Sequence, residues 1–533
     1  MSTFLLSAVS GYWHYVIFGA YLALIVTVAI ICRKKSGTIN GFLFANKGIG
    51  GWLSAFAYGT TYFSAVVFVG YAGKFGWGFG MGAVWIGIGN AVIGSLVAWL
   101  VLANRTRNMT QTLNSRTMPE FFEKRYQSKH IKLVASLVMF IFLLPYSASV
   151  YQGLGYIFEA VIGIPAYWCI LILAAITALY LFMGGYFGTA VTDFIQGIIM
   201  IIGVVAMLFI FLGSPEVNYG EGLARLTENG MGFIPSAAVP QGKTFLDSPA
   251  TTVIVLVLLT SFGIWALPQS VHKFYAIKDK AAIMRGTVIS TLFGLIVGVG
   301  AYFIGSLITL FVDKPTLANE LGNSVDRLIP YMLTNNLNGA MLGLVVVLLF
   351  SASVSTLAAL SLSSSATVSL DFVKGYAGKN LPEKSINVLL RVLCILFVGV
   401  SAVLAILEID AIVTMMSLSW GFLAGCFMGP YVLGLFSKKI NKYGAYASII
   451  TTFVLTAALI LAFGYWQAGT SASFAQVLKS GIGRSPYIGV ASMAASLVVT
   501  PVFSFIFKDK NIDAEFLNAI FPKKNKDGAG QSV

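Results

Sequence analysis

The chain has 533 residues, of which 57% are hydrophobic and 10% charged, and its mean hydropathy is +0.85. Soluble domains carry roughly a quarter charged residues, so a soluble enzyme is excluded and a chain built for lipid is expected. The net charge of +14 does not indicate nucleic acid, because the basic residues fall in alternate loops between apolar stretches, which is a topology signal.

Crossing a bilayer takes about 20 apolar residues. Stretches of that kind recur at 12–32, 50–73, 79–102, 133–162, 167–186, 190–212, 251–271, 287–312, 337–370, 388–407, 412–436, 445–463 and 487–507, which predicts thirteen spans. The first lacks a basic n-region and a small-residue cleavage pattern, so it reads as a retained helix. Placing the loops after the odd-numbered spans on one side collects most of the 34 Lys and Arg, among them Arg33-Lys34-Lys35, Lys273–Arg285 and Lys438–Lys442. That side is expected to be cytoplasmic in a multi-pass plasma-membrane protein, with the amino terminus outside and Lys523-Lys524-Asn525-Lys526 inside. The four cysteines, Cys32, Cys169, Cys394 and Cys426, lie in or at the ends of spans with no paired spacing, so neither a disulfide framework nor a zinc site is indicated.

Two segments are interrupted where a plain spanning helix would be continuous. One runs from Gly50-Gly51 through Gly59-Thr60-Thr61-Tyr62-Phe63-Ser64 to Gly70; the other is Thr260-Ser261-Phe262-Gly263-Ile264-Trp265 to Pro268-Gln269-Ser270. They lie five spans apart. Because five is odd, the second unit enters the membrane upside down relative to the first, as in the inverted repeats of transporters, whose solute site lies where the broken helices meet. The expected fold is an all-α membrane protein. Residues 1–40 form a peripheral helix, 41–248 the first repeat with its outer loop, 249–437 the second repeat, and 438–533 two further helices with a basic tail.

The ninth span carries ten hydroxyls, from Ser351 to Ser369. Ala352, Ser355, Thr356 and Ala359 share one helical face, so two hydroxyls and a backbone carbonyl can converge on a small hard cation, for which such oxygens replace water. A single Ser or Thr needs no ligand, since it can bond back to the carbonyl three or four residues earlier. Asp193 is one of few carboxylates near a span, where an ionisable group costs roughly 2.5–3.5 kcal/mol on insertion scales. It reads either as functional or as an interfacial cap together with Thr192. No P-loop, GxSxG or metal-spaced histidine set is present, and the 26 residues after Phe507 are too few for a signalling domain. A membrane enzyme and a sensor are therefore both disfavoured.

Several of these segments carry a resemblance: Gly50-Gly51-Trp52, Thr117-Met118-Pro119 to Lys124-Arg125, Gly184-Gly185 to Thr192-Asp193 and Gln196-Gly197, Ser355-Thr356-Leu357, and Gly429-Pro430 to Phe436. In them the chain resembles the sodium:solute symporter family over nearly its whole length, from Trp13 to Lys508. The resemblance implies a LeuT-type fold of five plus five inverted helices, with one helix before and two after. It implies a sodium site formed by the carbonyls of Thr60, Phe63 and Ala352 with the hydroxyls of Ser355 and Thr356, and an assisting role for Asp193. By the same resemblance the solute, a small molecule, would meet Tyr62 and Ser64, with Gln152, Trp265, Gln269, Ser417 and Trp420 as further candidates. Members with a second sodium site carry hydroxyls where this chain has Ala358 and Ala359, so one sodium is expected. The segment from Phe262-Gly263 to Leu267-Pro268, with Lys278-Asp279-Lys280 and Arg285-Gly286, is similar to the pantothenate symporter branch. The expected activity is sodium-coupled uptake of a small organic solute, such as an organic acid or an amino acid, by alternating access, without enzymatic chemistry or an organic cofactor. Proton coupling through Asp193 is the alternative within the same class.

Overall fold

The computed structural model describes residues 12–32, 39–44, 48–377, 381–509 and 514–521. The clusters at 33–35 and 523–526 lie outside the described residues. Among the described residues the backbone is helical apart from loops and one isolated bridge between Ile49 and Ile277. Eleven helical runs among the described residues are long and apolar enough to cross a membrane.

In chain order the principal helices, leaving aside short ones in loops and near the ends, are α1 (Trp13–Cys32), α2 (Gly51–Tyr62), α3 (66–79), α4 (84–112), α5 (Met118–Tyr126), α6 (Lys129–Ile162), α7 (Ala166–Phe182) and α8 (Gly185–Leu212). They continue as α9 (Pro249–Gly263), α10 (Pro268–Tyr275), α11 (Lys280–Leu310), α12 (Leu328–Asn336), α13 (Gly339–Gly375), α14 (Glu383–Ile406), α15 (Ile412–Phe436), α16 (Lys442–Ala468) and α17 (Ser485–Ile506). The difference from thirteen predicted spans has two sources. The expected second span is not one helix, since Phe63 is extended (φ −102°, ψ 98°) and divides α2 from α3. The expected fifth, α7, falls short of full crossing length.

Two glycines make the sharp reversals. Gly80, at φ +55°, turns the chain from α3 into α4, and a Cβ there would lie 2.5 Å from both the Cβ and the carbonyl oxygen of Met231. Gly185, at φ +56°, separates α7 from α8. Both need the left-handed region that a side chain disfavours.

The bundle packs α2 against α8, α11 and α13, with α6 and α15 closing the other flank of the break. Small residues let backbones meet, as membrane helices require in the absence of a hydrophobic drive between them. A Cβ on Gly76 of α3 would lie 2.0 Å from the Gly305 carbonyl oxygen of α11, and one on Gly421 of α15 would lie 2.4 Å from Gly489 Cα of α17. The α1 helix lies against α8 and α13, while α16 and α17 pack on each other and on α15.

Each end of the bundle is tied by charge. At the end carrying the long loops, Asp326 Oδ2 accepts from Ile412 N (3.1 Å), capping α15, and Arg327 Nη2 meets Glu159 Oε2 at 3.1 Å. Asp247, just before α9, pairs with Arg484, just before α17. Burial pushes the Asp247 carboxyl up, but Arg484 and the N–H and hydroxyl of Thr244 outweigh it and hold it below the usual carboxylate range. A carboxyl lowered in the folded state adds stability above its unfolded value of about 4, and that stability is lost as pH falls through the folded value. Thermal unfolding of Asp247→Asn should therefore show a lower midpoint at pH 7 and a flatter decline between pH 5 and 3 than the parent. Parallel profiles would rule out this tie.

At the opposite end Arg125 is fully buried, with Nε on the Gly434 carbonyl (3.1 Å) and Nη2 on that of Ser437 (2.8 Å), so its guanidinium satisfies the last carbonyls of α15. Beside it Thr117, the N-cap of α5, donates to Asp371 Oδ2 at 2.7 Å. Lys132 of α6 lies 2.8 Å from Glu123 and 3.6 Å from Asp371.

Candidate functional site

The break between α2 and α3 frees backbone groups that a continuous helix would consume. Ala65 N, which would normally bond to the Thr61 carbonyl, donates to Ser353 Oγ at 3.1 Å, and Val66 N donates to Ser64 Oγ at 3.3 Å. The α3 helix then opens with a wide π-type turn over Val66–Tyr71, a distortion common at functional sites. The carbonyls at the end of α2 are consequently available to side chains from α13.

Two hydroxyls take them. Ser355 Oγ donates to Thr60 O at 3.0 Å, and Thr356 Oγ1 lies 3.3 Å from Thr60 O and 3.2 Å from Thr61 O. Both hydroxyls are also 3.0 Å from the Ala352 carbonyl one turn back. Five oxygens from two helices thus gather at one place, and their residues are no more than 2% exposed. Spacings of 3.0–3.3 Å approach the edges of about 3.3–3.7 Å of an octahedral oxygen cage with hard-cation contacts of about 2.3–2.6 Å. Of the expected set, Thr60, Ala352, Ser355 and Thr356 converge. Phe63 occupies the break itself, its N–H on the Gly59 carbonyl at 3.1 Å. Thr61 joins the cluster without having been expected, and its carbonyl is available because Ser353 has taken its helical donor.

Near the same break lies an aromatic group. Tyr62 stacks on Trp420 of α15 with ring centroids 6.0 Å apart, and Tyr146 of α6 meets Trp420 edge-on at 5.6 Å. Tyr62 OH donates to the Thr260 carbonyl (2.7 Å) near the end of α9, where Thr260 and Ser261 hydroxyls share Asn90 Oδ1 of α4 at 2.7 and 3.1 Å. Ser417 bonds Tyr71 OH at 2.6 Å. Gln152 Nε2 donates to Tyr156 OH at 3.0 Å, while Gln152 Oε1, Gln269 Oε1 and Trp420 Nε1 are buried without a hydrogen-bond partner. Such atoms are costly unless something supplies a partner. Trp265 is turned elsewhere, its indole donating to the Ile93 carbonyl of α4 at 3.1 Å. Tyr146 and Asn90 were not singled out from sequence, although a lone amide within an apolar span was a usable signal.

Asp193 is not an interfacial cap. It lies on α8 beyond the first turns and is fully buried, whereas Thr192 bonds back to the carbonyls of Thr189 (2.9 Å) and Gly188 (3.1 Å) and to Tyr180. Its charge is met by Lys273 Nζ of α10 at 3.6 Å, and both side chains are at most 2% exposed.

A broken helix whose freed carbonyls are taken by hydroxyls of a second helix belongs to a recognisable class of proteins. The family model described as the sodium:solute symporter family matches residues 42–452. The chain belongs to this family. The sodium/pantothenate symporter of Escherichia coli (strain K12) is 27% identical over 83% of this chain and 89% of its own length. Sodium/proline symporter 2 of Staphylococcus saprophyticus is 24% identical over 85% and 87%. A solved Na+-coupled sialic acid symporter, in a substrate-bound outward-open state, superposes with a TM-score of 0.73 at 17% identity, covering 93% of this chain and 98% of its own. The family member described here is therefore a multi-pass membrane transporter rather than an enzyme, with the fold of that symporter.

Proposed function

We propose that this symporter-family protein couples the inward movement of one sodium ion to uptake of a small organic solute by alternating access. The observation that carries the reading is the convergence of Ser355 and Thr356 on the carbonyls of Thr60, Thr61 and Ala352. Sodium there joins α2 to α13 and sets the α2–α3 break. Solute binding beside Tyr62, Ser64 and Trp420 then closes the outer side, and loss of sodium to the cytoplasm, at the basic end of the bundle, loosens α2 from α13 and releases both. One sodium crossing the full potential supplies about 2.3 kcal/mol per 100 mV, roughly a fiftyfold accumulation.

The residues around the break support a solute class. Aromatic faces with unpartnered amide and indole groups suit a compact, partly apolar molecule, and the pantothenate and proline symporters among the relatives support an organic acid or an amino acid. A carboxylate on such a solute is favoured near the amino-terminal ends of the broken helices, where backbone N–H groups concentrate positive partial charge.

The reading is tested in proteoliposomes. Labelled pantothenate, proline and other small acids, preselected by thermal shift in sodium chloride against choline chloride, should accumulate only with an inward sodium gradient. Accumulation that follows a pH gradient and ignores sodium would replace sodium with the proton as the coupling ion.

A further inference from the structure

The buried ion pair between α8 and α10 has no part in the oxygen cluster. Asp193 is 0% exposed and both of its carboxylate oxygens lack a hydrogen-bond partner, since Lys273 Nζ at 3.6 Å is beyond hydrogen-bond reach. The ammonium is itself 2% exposed and sits 5.1 Å from the centroid of the Tyr186 ring. The other titratable groups facing the carboxylate are the phenols of Tyr21, Tyr180 and Tyr186, and His272 adjoins Lys273 with its ring 5.4 Å from that of Tyr186. Among the described residues, Lys273 is therefore the one cation opposing this charge.

A carboxylate removed from water cannot stay charged alone, because the uncompensated penalty is several kcal/mol even after relaxation. Some positive charge must accompany it. Here the chain supplies that charge covalently, from the last turn of α10, where the helix end also favours a cation. A tethered ammonium cannot cross the membrane with the solute. A free cation at the same place could.

We propose that Lys273 is the tethered counter-ion of Asp193, filling the place a second mobile cation would otherwise take and holding the coupling at one cation per solute. The proposal rests on the sodium-symport reading only for the identity of the first ion. Its own content is the difference that Lys273 makes.

The test needs no knowledge of the solute. Binding of radiolabelled sodium to purified protein at pH 8.5 should give one ion per chain for the parent and for Lys273→Arg, two for Lys273→Met, and one again for Asp193→Asn/Lys273→Met. If the replacing cation is a proton, Lys273→Met keeps one sodium, but its unfolding temperature rises from pH 8.5 to pH 6 toward that of the double variant, which does not move. If Lys273→Met shows neither an extra sodium nor such a rise, the proposal is overturned. Should Lys273→Met fail to fold, Lys273→Gln takes its place in both measurements. If neither single variant folds while the double variant does, the pair is merely structural and the proposal falls. A parent that binds no sodium defeats the sodium-symport reading, while a gain of one ion on losing Lys273 still upholds this inference.

Discussion

Replacing Ser355 and Thr356 together with alanine should raise the sodium concentration for half-maximal uptake by at least 100-fold. Each hydroxyl faces two or more carbonyls of the α2–α13 cluster, at 3.0–3.3 Å. A polar contact to a charged partner is worth about 1.5–3 kcal/mol, and each 1.4 kcal/mol is tenfold in affinity, so two such losses, added, come to about two decades or more. The fold should tolerate the change, because alanine is the better helix former. Ser369→Ala provides the control: its hydroxyl is back-bonded to the Ser365 carbonyl at 2.7 Å within the same helix, and its sodium dependence should stay within about twofold of the parent. An unchanged sodium requirement in the double variant, read by uptake or by sodium-dependent thermal shift, would remove the ion from this cluster.

Lys132→Met should be among the most destabilising single substitutions outside the transport path. Asp371, at the end of α13, is 0% exposed and is held by Thr117 at 2.7 Å and Lys132 at 3.6 Å. Taking away Lys132 leaves the carboxylate one neutral donor. Breaking a fully buried pair costs about 3–5 kcal/mol, and because the Lys132 side chain is 11% exposed a loss at or just below the bottom of that range, about 2–3 kcal/mol, applies here. The double variant Lys132→Met/Asp371→Asn should recover most of the loss. Equal unfolding temperatures for the single and double variants would show that the pair contributes nothing. The cluster links the end of α13 to the start of α5 and α6, so the same substitution should also loosen the basic end of the bundle, seen as faster labelling of a reporter cysteine there.

Most of the cluster is legible in the sequence alone, because its signals are local. Glycine and hydroxyl residues around Phe63 interrupt an apolar run, and Ser355 and Thr356 share a face with Ala352 by helical periodicity alone. Thr61 was not legible, because its carbonyl becomes available only when Ser353, 292 positions later, takes the Ala65 N–H. Trp265 shows the reverse case. Its place at the second interruption marks it as central, yet its indole donates to the Ile93 carbonyl of α4, a partner that only the packing of α9 on α4 supplies.

Sequence by itself determined that the chain spans a bilayer many times, that two helices five spans apart are broken, and which helix brings the hydroxyls. Hydrophobic run length, interruptions by glycine and proline, and helical periodicity are properties of neighbours along the chain. Tertiary structure alone decided which carbonyls meet those hydroxyls, that Asp193 faces Lys273, and that Asp371 faces Thr117 and Lys132. Each of those pairs joins helices far apart in sequence, and a buried charge finds its partner only when packing has excluded water from both.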